Sequence, residues 1–208
     1  MRVDNDATAA SRRYHHGDLR NAAVDAGLRL LASRPLDELG LREVAREVGV
    51  SATALYRHFA DKQALKTALA QAGLDRLAQA QQAASAQAGG GAAGFLASGR
   101  AYVRFAVEQP VLFRLVFSHA APDNVLDSAP ERVSGALRGL RQDIAGLLPP
   151  GRPVAEHKAA ALHAWALVHG LALLVLDRQI PDDQALIEQV LRGFEGVLRV
   201  APSAAPKT

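Results

Sequence analysis

The side chains equipped to act on another molecule fall into two sets. The first is basic, hydroxylated and aromatic. It comprises Arg12, Arg13 and Tyr14, then Arg42, Ser51, Thr53, Tyr56, Arg57, His58 and Lys62 in and beside LREVAREVGVSATALYRHFADK. Groups of this kind hold phosphate oxygens and read base edges. The second set is Tyr102, Phe105, Phe113, Phe117, His119, His163, Trp165 and His169. Rings with a few imidazoles suit an apolar cavity that anchors a small molecule through one or two polar contacts, so a hydrophobic or aromatic effector is expected. The chain has no cysteine, hence no disulfide, thiolate metal site or cysteine nucleophile. No nucleophile elbow, phosphate-binding glycine loop or metal motif accompanies the histidines. No catalytic residue, resident metal or cofactor is therefore expected.

The first set needs elements that present it. Leu41, Val44, Ala45 and Val48 recur at helical spacing, with Arg42, Glu43, Arg46 and Glu47 between them. Gly49 follows where a helix ends in a left-handed residue. Val50 plugs the corner, and Ser51 caps a second helix by accepting a bond from an orphan backbone N–H. Leu55 and Phe59 turn that helix back on the first, and the small Ala45 lets the two cross closely. Ala52, Thr53, Tyr56, Arg57 and His58 face outward. This is the pattern of a helix-turn-helix, whose second helix enters the major groove. An ordinary core hairpin is the alternative, but these helices are too short to hold much core. Lys62 opens the next helix, capped by Asp61. A cation there opposes the helix dipole, which a bound phosphate would relieve.

The overall charge decides little. Residues 1–66 carry 11 Lys/Arg against 9 Asp/Glu, and the whole chain is only +3. DNA affinity must come from local placement of cations. Residues 1–11 are small and polar and read as a disordered tail. SRRYHHGDLR then forms a basic, aromatic arm before a helix capped by Asp18, with Leu19, Ala22, Ala23, Ala26, Leu30 and Leu31 toward the core. The adjacent His15 and His16 do not face each other on a helix and have no third ligand. The N-terminus lacks the apolar stretch of a secretory signal, so a cytoplasmic location is expected.

The remainder is expected to be helical throughout, giving an all-α fold. Arg34-Pro35 ends the first helix. A helix from Lys62 runs toward Ala86, and the glycine-rich Ala88–Gly94 marks a joint. The chain divides into 12–87, a helix-turn-helix domain with its connecting helix, and 95–200, a domain for effector binding and dimerisation. Further helices are expected over 95–109, from Pro110, over 133–148, over 154–177 and over 182–199. Residues 159–176 contain no charged side chain. That run meets the lower length for a membrane span, but its histidines, glycine and alanines suit a buried helix better. Leu186, Ile187, Val190, Leu191, Phe194, Val197 and Leu198 form an apolar stripe on the last helix. A two-fold axis through these last two helices would make a four-helix dimer interface.

YHHGDLR followed by LREVAREVGVSATALYRHFADKQALKTAL resembles the DNA-binding domain of the TetR family of transcriptional regulators. AVEQPVLFRLVF and AWALVHGLA resemble a subgroup with a Trp-x-x-x-His-Gly signature in its C-terminal domain. The resemblance implies an all-helical homodimer that binds a palindromic double-stranded operator and is released by a small effector, most often as a repressor. By motif position it makes Arg42, Thr53 and Tyr56 groove contacts. Tyr56, Arg57, His58 and Lys62 become phosphate contacts, which the arm of Arg12, Arg13 and Tyr14 joins. Gly40 stands where many relatives have a hydroxyl residue, so one helix cap is missing. A hydrolase built on the C-terminal histidines lacks any supporting motif, and a protein-only adaptor leaves Thr53, Tyr56, Arg57 and Lys62 unemployed.

Overall fold

A computed structural model describes residues 16–119 and 127–200. The described residues form helices α1 (His16–Leu31), α2 (Leu41–Val48), α3 (Ala52–Tyr56), α4 (Lys62–Gln87), α5 (Gly91–Glu108), α6 (Pro110–His119), α7 (Gly135–Leu147), α8 (Val154–Leu176) and α9 (Gln184–Val200). Short 3-10 turns lie at Leu36–Glu38 and Pro130–Arg132. No strand occurs among the described residues, in keeping with the all-α expectation. The arm residues Arg12, Arg13 and Tyr14 and the 1–11 tail lie outside them.

Helix starts follow local chemistry. Ser51, Asp61 and Ser134 each accept a backbone N–H three residues on, at 3.2, 2.7 and 3.2 Å. Asp183 Oδ1 accepts two, from Ala185 and Leu186. Pro110 opens α6, where its missing N–H costs nothing. α1 begins at His16, ahead of the expected cap, so Asp18 falls inside the first turn.

The glycine-rich joint is ordered, not the loose loop that its composition allows. Gly89, Gly90 and Gly91 take φ of 83°, 72° and 57° and reverse the chain. Helix α5 starts at once, and a Cβ on Gly94 would lie 2.5 Å from Ser85 Oγ. The run is thus a tight corner between the antiparallel α4 and α5. Nor does the core divide there. One apolar cluster runs from Leu19 of α1 through Val44, Leu55 and Phe59 to Leu69 and Leu77 of α4, then Phe113, Leu115 and Val116 of α6. Helix α4 buries one stripe, Leu65, Leu69, Ala70, Gly73, Leu74, Leu77 and Ala78, and none of its last nine residues is buried.

α6 lies close on α4. A Cβ on Gly73 would come 2.7 Å from Val116 Cγ2 and 2.9 Å from Leu112 Cδ1, so only glycine admits this approach. Helix α8 is long and apolar enough to cross a bilayer, yet here it packs on α5, α7 and α9. Ala161, Ala164, Leu171 and Ala172 are buried, while Leu162 and Leu174 stay 46% and 43% exposed. On α9, Ile187, Leu191 and Phe194 are already covered by this chain's own helices, leaving Leu186 outside.

Candidate functional site

The helix-turn-helix is built as its sequence requires. Gly49 takes φ 79°, and its N–H reaches the Ala45 and Arg46 carbonyls. Val50 N–H donates to Ala45 O at 2.9 Å, closing the turn over a half-buried Val50. Val44, Ala45, Leu55 and Phe59 are buried between α1, α2, α3 and α4. The Arg20 guanidinium stands 5.5 Å from the Phe59 ring centroid and covers the cluster from outside. Arg29 and Glu47 pair at 3.6 Å across α1 and α2, both well exposed.

With that side closed, Arg42, Ser51, Thr53, Arg57 and Lys62 are exposed, Tyr56 is 51% exposed and His58 is half-buried. All belong to the motif or its immediate flank, and none is buried in its core. Ser51 is committed to its cap. Lys62 Nζ donates to the Asp37 carbonyl at 2.8 Å, which offsets the unfavourable position at the start of α4 without any phosphate. Gly40 is extended at φ −144° and provides no side-chain cap to α2. The capping hydroxyl is absent, as the sequence indicates.

The second site is a cavity of about 610 Å³ lined by residues of α4 through α9. Of the expected effector residues, Tyr102, Phe117 and Trp165 line it. Phe113 and His169 stand directly behind them. The Phe117 ring centre lies 4.9 Å from that of Phe113 and 4.6 Å from that of His169. Phe105 is buried in the main core away from the cavity. His119 meets Ser118 Oγ, and the exposed His163 lies edge-on to Phe194. These three side chains are not wall residues, because the phase of each helix is set by its packing partners.

Tyr102 Oη and His169 Nδ1 are 2.9 Å apart. Burial pushes the phenol far above its usual value and pulls the imidazole below 6.5. Both partners are therefore neutral near pH 7. Oη also accepts from the Trp165 indole, so we assign its O–H as the donor to Nδ1, which places the ring proton on Nε2. The expected polar anchor thus has a protein partner of its own.

The polar part of the wall escaped the sequence reading. Gln71, Asp75 and Gln81 of α4 and Asp143 of α7 line the cavity. They sit on otherwise polar helix positions that look like solvated surface. Only the spacing of Leu74, Leu77 and Ala78 beside Gln81 hinted that this part of α4 is covered.

Residues 23–69 match the family model for bacterial regulatory proteins of the tetR family. Residues 95–194 match that for the tetracyclin repressor-like C-terminal domain. An uncharacterized HTH-type transcriptional regulator of Haemophilus influenzae is 44% identical over 54 residues, a match that spans 26% of this chain and 26% of that protein. Among solved structures, a protein of unknown function from Rhodococcus sp. RHA1 is 31% identical, with TM-score 0.66, covering 90% of this chain and 96% of its own. A TetR family transcription regulator from Marinobacter aquaeolei VT8 is 19% identical, with TM-score 0.60 over 86% and 95% of the two chains, and shares the fold.

Proposed function

Since the chain belongs to the TetR family of DNA-binding transcriptional regulators, we propose that it is a homodimeric repressor released from a palindromic operator by a small apolar or aromatic effector. The observation that carries the reading is the position of α6. Val116 and Phe117 face the cavity, while Leu112 and Val116 press on Gly73 of α4. A molecule entering the cavity would meet the same helix that supports the connecting helix of the DNA-binding motif. Tightly packed interfaces of this kind respond by shifting between arrangements, not by gradual compression.

In this reading Arg42, Thr53 and Tyr56 enter the groove, and Tyr56, Arg57, His58 and Lys62 hold phosphates, with Arg12, Arg13 and Tyr14 beside them. The exposed Leu162, Leu174 and Leu186 support a second copy packed on α8 and α9. Genomic fragments retained by the full-length protein supply the operator, and fluorescence anisotropy then measures affinity against salt. The expected outcome is tight binding of one pseudo-palindromic duplex, with affinity falling steeply as salt rises. Light scattering should give twice the 22.0 kDa chain mass. A stable monomer, or salt-independent retention of any duplex, overturns the reading.

A further inference from the structure

We propose that the cavity takes an amphipathic organic amine, its protonated nitrogen held by the Asp143 carboxylate, its apolar body on Phe117 and Trp165. This rests on the cavity being the effector site and adds the chemical class of the effector.

The argument comes from what the wall leaves unpaired. Gln81 does not serve as the anchor: its Nε2 donates to the Ser98 carbonyl at 3.4 Å, and its Oε1 is sealed from the cavity. Asp143 is half-buried on the α7 wall and has neither a hydrogen bond nor an ion pair among the described residues. Burial raises its carboxyl above the usual value, and no neighbouring cation opposes that rise. The other charged groups of the wall differ. Asp75 accepts from Gln71 at 3.4 Å, and Arg138 donates to the Val133 carbonyl at 3.3 Å. Glu131 and Arg132 are neighbours on an exposed turn.

The unmet demand is thus for a donor. An anion would place like charge beside Asp143, and a hydrocarbon would leave its carboxylate without a partner. An ammonium satisfies it with charge-assisted bonds. The same wall offers Phe117 and Trp165, whose faces receive either a cation or the hydrocarbon attached to it. The volume of the cavity suits a drug-sized molecule.

Three probes with one aromatic body test this: 1-naphthylmethylamine, 1-naphthalenemethanol and 1-naphthoate. Calorimetric titration of the full-length protein at pH 7 should rank amine above alcohol above carboxylate, with about tenfold between the first two. Asp143→Asn should reduce the amine-to-alcohol ratio to near one while leaving the alcohol affinity unchanged. Melting curves check that the variant folds, and Asp143→Asn, which removes an unpaired half-buried charge, should melt no lower than the parent. Equal or tighter binding of the carboxylate, no saturable amine binding, or an amine preference that survives Asp143→Asn overturns the proposal. Operator release is measured separately by anisotropy. Asp143-dependent amine binding that leaves DNA bound would retain this inference and sink the release reading.

Discussion

Replacing Tyr102 by Phe removes one oxygen and little volume, and with it the bond to His169 and the one accepted from Trp165. In the parent protein the phenol donates at 2.9 Å to an imidazole that burial holds neutral. Rings of Phe113, Phe117 and Trp165 surround that imidazole at centroid distances of 5.5, 4.6 and 6.4 Å, so water cannot readily replace the lost donor. Loss of the bond together with an unsatisfied Nδ1 should cost about 1–2 kcal/mol. For a chain of this length the melting temperature then falls by about 2–8 °C. The acid limb carries a second signature. The folded-state pKa of His169 lies below the unfolded value of 6.5, so the unfolded chain takes up the proton first. The stability this histidine contributes is complete above pH 6.5 and is lost as the pH falls toward the depressed folded value. Without the phenol, Nδ1 is freer to protonate, so the variant should lose less stability than the parent on the same descent. Calorimetric scans at matched protein concentration from pH 7.5 to about pH 5 give both readings. A shift below about 1 °C at pH 7.5, or an unchanged acid slope, would refute the assignment of the pair as a buried neutral bond.

Four further substitutions test these assignments. Lys62→Ala should weaken every duplex alike and lower the salt slope by about one unit, whereas Tyr56→Ala should change the preference among operator variants by about 1–3 kcal/mol; anisotropy over a salt series separates them, and an unchanged slope for Lys62→Ala would mean that its ammonium stays on the Asp37 carbonyl. Leu162→Asp should convert the dimer to monomer in light scattering while circular dichroism remains helical, because it charges an exposed position of α8. Gly40→Ser should raise stability by about 0.5 kcal/mol in denaturant titration, since an extended φ accepts any residue, the new hydroxyl can cap α2, and the only close neighbour is the mobile end of Glu43.

The helix-turn-helix was legible because its signals are short-range. Gly49, Ser51 and Asp61 fix their turns through bonds to residues within four positions, and the apolar row Val44, Ala45, Leu55, Phe59 has few other ways to close. The cavity was only partly legible because its wall is assembled from six helices. Aromatic residues mark where such a wall is plausible, but Phe105 and Phe117 both read as apolar helix positions, and only the placement of α6 sends one inward. Gln81 and Asp143 failed the search for the opposite reason: on isolated helices they look like solvated surface. The glycine run misled because glycines carry no apolar periodicity, so a tight corner and a flexible joint look alike in sequence. Leu191, part of the stripe expected at the dimer seam, is instead buried against Val103, Leu171 and Ile187 of its own chain, so a charge there would unfold the subunit before it tested the dimer.

Coupling between the two sites is constrained by the same packing. A ligand shifts DNA binding only by its difference in affinity between two arrangements, and operator must alter ligand affinity by the same factor. Turning a population from 1:99 to 99:1 takes about 5.5 kcal/mol of such difference. One displaced ring contact, at about 0.5–1.5 kcal/mol, is too small to supply it. The row Leu112, Leu115 and Val116, each at most 3% exposed, offers more, because it repacks as a unit if α6 slides along α4. Gly73 makes that contact close, and no side chain at that position cushions the movement. A switch built this way spreads its free energy along α6. Single substitutions at the rings should then alter ligand affinity more than they alter the reciprocal effect of operator, whereas filling the Gly73 notch with alanine should change the coupling itself, measured as the ratio of ligand affinities with and without operator.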